Sequence, residues 1–592
     1  MLLRLNEWLG RRSAIAGAAL VAVSFLVYTG SLANGFLTDD VPFILQNPFV
    51  QNPRLWSRIF EGSMWAFQGG RSDFYRPLQF FSYAIVYRLT GPDPATLHFI
   101  QLLLYSVTVG LMFALGRKLL QSDLAAFAAT LLWAVHPLHV EAVAWISSLS
   151  EVGFGCFYLL AFLVFLHAER MAGGPRLRFH ALAALAFLGA LLFKEMALSF
   201  PLVLLAYWLL VAERERWLSR AARWSPYLAA VAIYLALRII AIGGLASTPQ
   251  AAGWTSRAKA ALALLGSHTR LFFWPGEPNY HRPFEISSSL HSVWPWFILL
   301  ILAVTLGRRK HEPLLGFLVV WWVLGLVPCL DIRYLKIPCL TDRYSYLPSV
   351  ALCMAGGLAL FARLPARFPQ ARWAVFLLPA LALASLMGAV QTVRAIPFWR
   401  NDEAMCDRAL AQSPSDPLVH FNRAGILQYQ YGDLAGARKE YETAMRLAEA
   451  DPPVKAAMTF QYLLAHGQMA HRQGRTDEAI RYLEKAIRAS RENKAAYDAL
   501  GAVYFPRGDY ARAAGYFQQA VQVNPYDPGS RFYLGTCWMK LGEYPRAVEQ
   551  FRTARVIDPT YREAYEAEAR ALEASGDSAG ATEVRKLAGS GP

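Results

Sequence analysis

Ser13–Leu32 is twenty residues long without a single charge, enough for one helix to cross a bilayer. It is the first of a series. Apolar segments recur at 13–33, 98–116, 123–139, 152–168, 180–196, 197–212, 226–244, 293–306, 313–330, 347–362 and 373–391. A backbone in lipid has no water to bond, so segments of this kind must satisfy their N–H and C=O groups internally, as helices. With 55% hydrophobic residues in 592 and a mean hydropathy of +0.26, an ordinary soluble assembly is excluded. The expected fold is all-α, with a polytopic bundle of about 11 transmembrane helices in the first part of the chain.

The net charge of +15 does not indicate nucleic acid, because the basic residues cluster between apolar segments, as in "GRKLL", "GGPRLRFH", "AERERWLSRAARW" and "LGRRKHE". These clusters set topology. Arg4, Arg11 and Arg12 place the N-terminus in the cytoplasm, and the first segment, longer than a signal core, reads as a retained helix although "SLAN" resembles a cleavage site. Loops 35–97, 140–151, 245–292 and 331–346 then lie outside, and an odd number of crossings puts the C-terminus outside too. Counting Lys259–Trp274 as a crossing would invert the later charge bias, so it is expected to lie in the interface or against the bundle. The six cysteines show no zinc or thioredoxin-like spacing. Cys329 and Cys339 each follow a proline and would face an oxidising compartment; a disulfide and two unpaired thiols near helix ends both remain open.

At Pro397 the composition changes, dividing the chain into a membrane domain, 1–396, and an external domain, 397–592. Gly474, Gly508, Gly542 and Gly576 are spaced by 34 residues. Tyr497, Leu500, Gly501, Tyr504, Gly508, Ala513, Phe517, Ala520 and Pro525 occupy the positions of a tetratricopeptide helix–turn–helix, and Leu534, Gly535, Trp538, Ala547, Phe551, Ala554 and Pro559 repeat them. An earlier unit centres on Gly425, Gly432, Ala437, Tyr441 and Ala444. Gly432 to Gly474 is 42 residues, so eight extra residues around "DPP" are expected to lengthen one connection. Glu568 and Arg585 at apolar positions suit a capping unit with a polar outer face. The expected architecture is an α-solenoid.

Polar groups concentrate on the outside. Asp39 and Asp40 close "SLANGFLTDD"; "FYRPLQFFSY" carries Tyr75 and Arg76; "HPLHVEAVAW" carries His136, His139 and Glu141; "LLFKEMALSF" carries Lys194 and Glu195; "TDRYSYLP" carries Asp342 and Arg343. One charge at a helix end is commonly an interfacial anchor, but five clusters on one side fit a transferase whose donor bears a phosphate on a membrane lipid. Cations would stabilise the departing phosphate while a carboxylate takes the acceptor's proton. Arg76, Lys194, Arg238 and Arg343 are the candidate phosphate cations, with Arg76 foremost because it shares a loop with the acids. His136, His139 and Glu141 are legitimate metal ligands, but spacings of three and five do not bring all of them to one helical face; contacts to the donor or to the residues that hold it are the expected role, with a divalent metal left as the alternative and no metal site assigned. Trp321 and Trp322 read as bundle packing or interface belt.

The order "FLTDD", "YRPL", "HPLHVEAV", "FKE" and "RYSYLPSV" followed by tetratricopeptide repeats resembles the transmembrane and tetratricopeptide-repeat protein O-mannosyltransferases and their bacterial relatives, over nearly the whole chain. The resemblance implies a C-type glycosyltransferase, similar to the protein O-mannosyltransferases: an inverting enzyme using a polyprenyl-phosphate sugar, mannose-like, with Asp39 at the position of the first acid of the external pair, the base. Asp40 takes the place of the second, which in those relatives is more often Glu. It also implies a protein or peptide acceptor; the apolar segments add membrane lipids as partners, and the sequence requires no cofactor beyond the lipid-linked donor. The Arg-rich, Lys-poor composition points to a bacterial source, hence an inner-membrane protein with periplasmic repeats. Two other readings stay open: a membrane-anchored repeat scaffold and a polysaccharide transporter, the latter expected to show internal symmetry that the sequence lacks.

Overall fold

The computed structural model describes residues 1–70, 72–171, 175–212, 217–244, 253–277, 279–280, 282–284, 286–330, 339–369 and 372–590. Among them seven helices are long and apolar enough to cross a membrane: Ser13–Ala33, Pro94–Leu120, Ile146–Glu169, Arg176–Phe193, Arg223–Ile242, Ser349–Arg367 and Trp373–Trp399. A bent pair, Asp123–Ala134 and Pro137–Ala144, meets the same test at a 52° break. Three shorter apolar helices, Glu195–Leu210, Trp294–Gly307 and Pro313–Cys329, account for the remaining predicted segments. Helix Trp254–Phe273, expected at the interface or against the bundle, packs against Trp294–Gly307 and is not among the candidate spans. The described residues are otherwise helix and turn, apart from Arg282–Pro283 paired antiparallel with Cys339–Leu340. The side chain of Cys339 and the loop 331–338 lie outside the described residues, so the Cys329 pairing is not addressed.

Local chemistry sets the helix ends. Asp93 caps Pro94–Leu120 by accepting from Ala95 and Thr96 N–H at 3.3 and 3.0 Å, and Ser122 caps the next helix through Ala125 N–H. Pro137 cannot continue the helix that precedes it, and it coincides with the 52° break. Trp321 and Trp322 are fully buried. Trp321 packs on Phe162 and Trp322 donates to Thr269 Oγ1 at 3.3 Å, so both are bundle core and not belt residues.

The repeats form helix pairs whose turns carry Gly432, Gly474, Gly508, Gly542 and Gly576, all with positive φ. A Cβ on Gly501 would lie 2.7 Å from the Phe517 ring, which is why the helices of this pair can approach so closely. Two expectations are corrected. The extra residues around "DPP" extend helix Pro452–Arg472 to 21 residues, against 13 in Pro417–Tyr429 and Pro528–Lys540, because the sequence there keeps helix-forming residues instead of turn formers. Glu568 is not on a polar outer face: it is wholly buried, accepting from Arg552 Nε at 3.0 Å and from Arg555 of the preceding helix, while Arg585 pairs with Glu573 on the surface.

The solenoid is docked on the long loop that follows the first span. Asn52 Nδ2 donates to the carbonyls of Val556 and Ile557, both at 2.9 Å, and Asn524 Nδ2 donates to Phe67 O at 2.9 Å. Tyr526 joins the loop's own aromatic core of Phe43, Phe49, Phe67 and Phe80, with its ring 5.1 Å from Phe49. Gly69, at φ 73°, lies so close to the Val523 carbonyl that a Cβ would collide with it.

Candidate functional site

The turn carrying the two acids is closed by Asp40. Its backbone N–H donates to Leu37 O at 2.6 Å, Leu37 N–H donates back to its carboxylate at 2.9 Å, and Ser147 Oγ donates to the other carboxylate oxygen. Asp40 is fully buried, and burial pushes its pKa up to about 7, partly offset by the two hydrogen bonds. Fixing Asp40 inward turns its neighbour the other way, where it is half-buried. The Asp39 carboxylate makes no hydrogen bond or ion pair among the described residues; desolvation raises its pKa, the nearby Arg343 charge opposes that rise, and Asp402 adds to it. The two adjacent acids therefore have different surroundings, one anchored and one available.

Arg343 is held by the Glu141 carboxylate, to which it donates its backbone N–H at 3.0 Å and brings its Nε to 3.5 Å. Its guanidinium lies 4.9 Å from the centre of the Trp145 ring. The two terminal nitrogens make no bond among the described residues. The other candidate cations are differently engaged. Arg76 forms a two-pronged pair with Glu195, at 3.0 and 2.5 Å, and covers the Phe74 ring. Lys194 is buried against Glu151. Arg238 donates to the Asp73 carbonyl at 2.6 Å. Of the four, Arg343 is the one whose charge acts on Asp39, whereas Arg76 is engaged by Glu195.

The remaining candidates separate into two groups. Tyr75 donates to Phe60 O at 3.0 Å and shapes the loop behind the acids. Asp342, adjacent in sequence to Arg343, turns the other way and receives Arg282 at 2.8 and 3.1 Å. His136 accepts from Leu138 N–H, which assigns the proton to Nε2 and a 3.1 Å bond to Phe272 O. His139 is buried on Trp133 with Nε2 3.0 Å from Ser349 Oγ. Both histidines serve the bundle beneath the acid loop, and among the described residues no three potential ligands form a metal group.

Sequence reading misses several partners. Glu151 is a lone acid at the start of an apolar segment, and that position is its detectable signal. Arg282 sits in a polar loop without a pattern to mark it. Asp402 accepts from Thr38 N–H at 2.8 Å, tying the first helix after the membrane domain to the residue before Asp39. Between Arg270, Arg282, Phe284 and Ser289 on one side and Gln412 and Ser413 on the other lies a polar cavity of about 670 Å³.

The tetratricopeptide repeat family profile matches residues 422–494, 464–528 and 499–562. The protein O-mannosyl-transferase Tmtc2 of Drosophila melanogaster is 34% identical over 190 residues, 31% of this chain and 20% of that protein. The human protein O-mannosyl-transferase TMTC1 is 36% identical over 160 residues, 26% of this chain and 18% of its own length. A protein O-mannosyl-transferase of Caenorhabditis elegans is 22% identical over 453 residues, covering 72% of this chain and 62% of that one. The chain thus matches about a fifth of the length of the first two. The homologues carry the family name that the motif order resembles. Among solved structures, YrrB, described as a TPR protein with an unusual peptide-binding site, is 24% identical with a TM-score of 0.25, covering 31% of this chain and 90% of its own. The MamA protein is also 24% identical at a TM-score of 0.25, over 29% of this chain and 89% of that one.

Proposed function

We propose that the chain is an inverting membrane glycosyltransferase that moves a sugar, mannose-like by its relatives, from a polyprenyl-phosphate donor to a hydroxyl of a protein acceptor on the external face. The observation that carries this reading is the unbonded Asp39 carboxylate beside the partly unsatisfied Arg343. Asp39 takes the proton of the acceptor hydroxyl as its oxygen forms the bond to the sugar's anomeric carbon. The bond from that carbon to the phosphate oxygen breaks, and polyprenyl phosphate leaves with the electron pair. Arg343 stabilises the charge gathering on that phosphate. The raised affinity for a proton that burial gives Asp39 makes it a better base than a free carboxylate. Asp40 and Ser147 hold the turn, and Arg76, Glu195, Lys194, Glu151 and Arg238 fix the helix ends around it.

The repeats, docked on the same loop, present the acceptor polypeptide, since stacked helix pairs form an extended concave surface. In a bacterium the site faces the periplasm, with the N-terminus in the cytoplasm. The experiment is transfer in proteoliposomes from a defined polyprenyl-phosphate mannose to a serine- and threonine-bearing acceptor, with release of one polyprenyl phosphate per sugar. Folded protein that binds acceptor through its repeats but releases no polyprenyl phosphate with any hexose donor would favour the scaffold reading.

A further inference from the structure

At the acid-bearing end of the bundle the first and last spans meet along an open furrow. Leu26, Val27 and Gly30 of one and Val393 and Ile396 of the other border a furrow of about 540 Å³, and Arg400 stands at its rim. The walls are open to their surroundings, with Leu26 68% and Val393 52% exposed. Arg400 is exposed and its guanidinium makes no hydrogen bond or ion pair among the described residues. An arginine at a membrane surface is ordinarily an anchor that reaches for water or headgroups. Here an apolar slot lies directly beside the cation, and the same residue's carbonyl accepts from Gly35 N–H at 3.0 Å, four positions before Asp39. Two residues after Arg400, Asp402 holds Thr38.

We infer that this furrow seats an anionic bilayer phospholipid, its acyl chain between the first and last spans and its phosphate on Arg400. Apolar walls select a chain, and a guanidinium with open donors grips phosphate oxygens through a fork that a lysine cannot form. A soluble phosphate would leave the slot unfilled, and a zwitterionic lipid would bring its own cation to the arginine. Walls this exposed let the occupant exchange with the bulk bilayer, in which phospholipid is the abundant species. The seat is separate from the Asp39 and Arg343 pair, so it stands whether or not the transfer reaction does.

The test uses the full chain in phosphatidylcholine nanodiscs doped with phosphatidylglycerol, with retained lipid counted by native mass spectrometry and a second arm doped with polyprenyl monophosphate. One phosphatidylglycerol should be retained in preference to phosphatidylcholine. Arg400→Ala should weaken that retention about tenfold, the scale of one charge-assisted fork. Leu26→Trp, which fills the slot and leaves the cation, should weaken it independently. Three results overturn the seat: phosphatidylcholine retained as well as phosphatidylglycerol, polyprenyl monophosphate alone retained through Arg400, or retention indifferent to both substitutions in protein with wild-type thermal unfolding.

Discussion

The repeats and the acid-bearing rim of the bundle both use arginine–glutamate and lysine–glutamate pairs but, the buried Glu568 with Arg552 and Arg555 apart, in opposite ways. In the repeats, Arg438 and Glu442 pair at 2.8 Å one helical turn apart, with both side chains half exposed at 50%. At the rim, Lys194 and Glu151 come from different segments and are 2% exposed each, while Arg76 reaches Glu195 across 119 residues of sequence. Exposed pairs contribute little because water and salt screen them and ordering two long side chains costs entropy. Buried pairs are costly to desolvate, and a well-packed apolar pair would often serve stability as well. A bundle needed only as an anchor has no reason to carry them. The rim thus joins distant segments through buried charge, whereas most pairs of the repeats are local and exposed.

That contrast can be broken at the rim first. Lys194→Met leaves the Glu151 carboxylate buried without its partner and should lower stability by about 3–5 kcal/mol, read by chemical or thermal unfolding of the purified protein. Adding Glu151→Gln should recover most of the loss; failure to recover would mean that Lys194 packs and does not pair. The second test is a pH profile. As the proposed base, Asp39 would act ionised, so activity is expected above its pKa and should be lost as pH falls through it. Arg343 lowers that pKa and Asp402 raises it. Arg343→Gln should therefore move the acid limb upward by about one pH unit, and Asp402→Asn should move it downward. Shifts of the same sign in both variants would deny that either charge acts through Asp39. The smallest effect belongs to the repeats: Arg438→Ala should change stability by less than about 1 kcal/mol. A larger loss would mean that the exposed pair belongs to a coupled network.

Much of this is legible in the sequence where periodicity is strong. The eleven apolar segments all appear as helices, and the 34-residue glycine spacing locates the turns, because burial in lipid and the left-handed turn conformation each leave a repeated residue pattern. Long-range pairing leaves none. Nothing in "FYRPL" or "FKE" states that Arg76 and Glu195 meet, or that Asp40 faces inward while Asp39 does not. Glu151 and Arg282 escape notice for the same reason, each a single charge whose meaning depends on a partner far along the chain. The extra length at "DPP" is misplaced by the sequence because prolines at a helix N-terminus resemble prolines in a connection until the helix beyond them is seen.

The central claim is the division of labour between two adjacent acids, and it is tested most directly by comparing Asp39→Asn with Asp40→Asn in turnover from a defined polyprenyl-phosphate sugar. Asparagine keeps the shape of either residue but cannot accept the proton. Asp39→Asn should reduce turnover by roughly 10²–10⁴-fold with donor affinity nearly unchanged, the mark of a group that acts in the transition state. Asp40→Asn should spare more of the turnover and act through the loop it closes. Near-normal transfer by a folded Asp39→Asn protein would contradict the account.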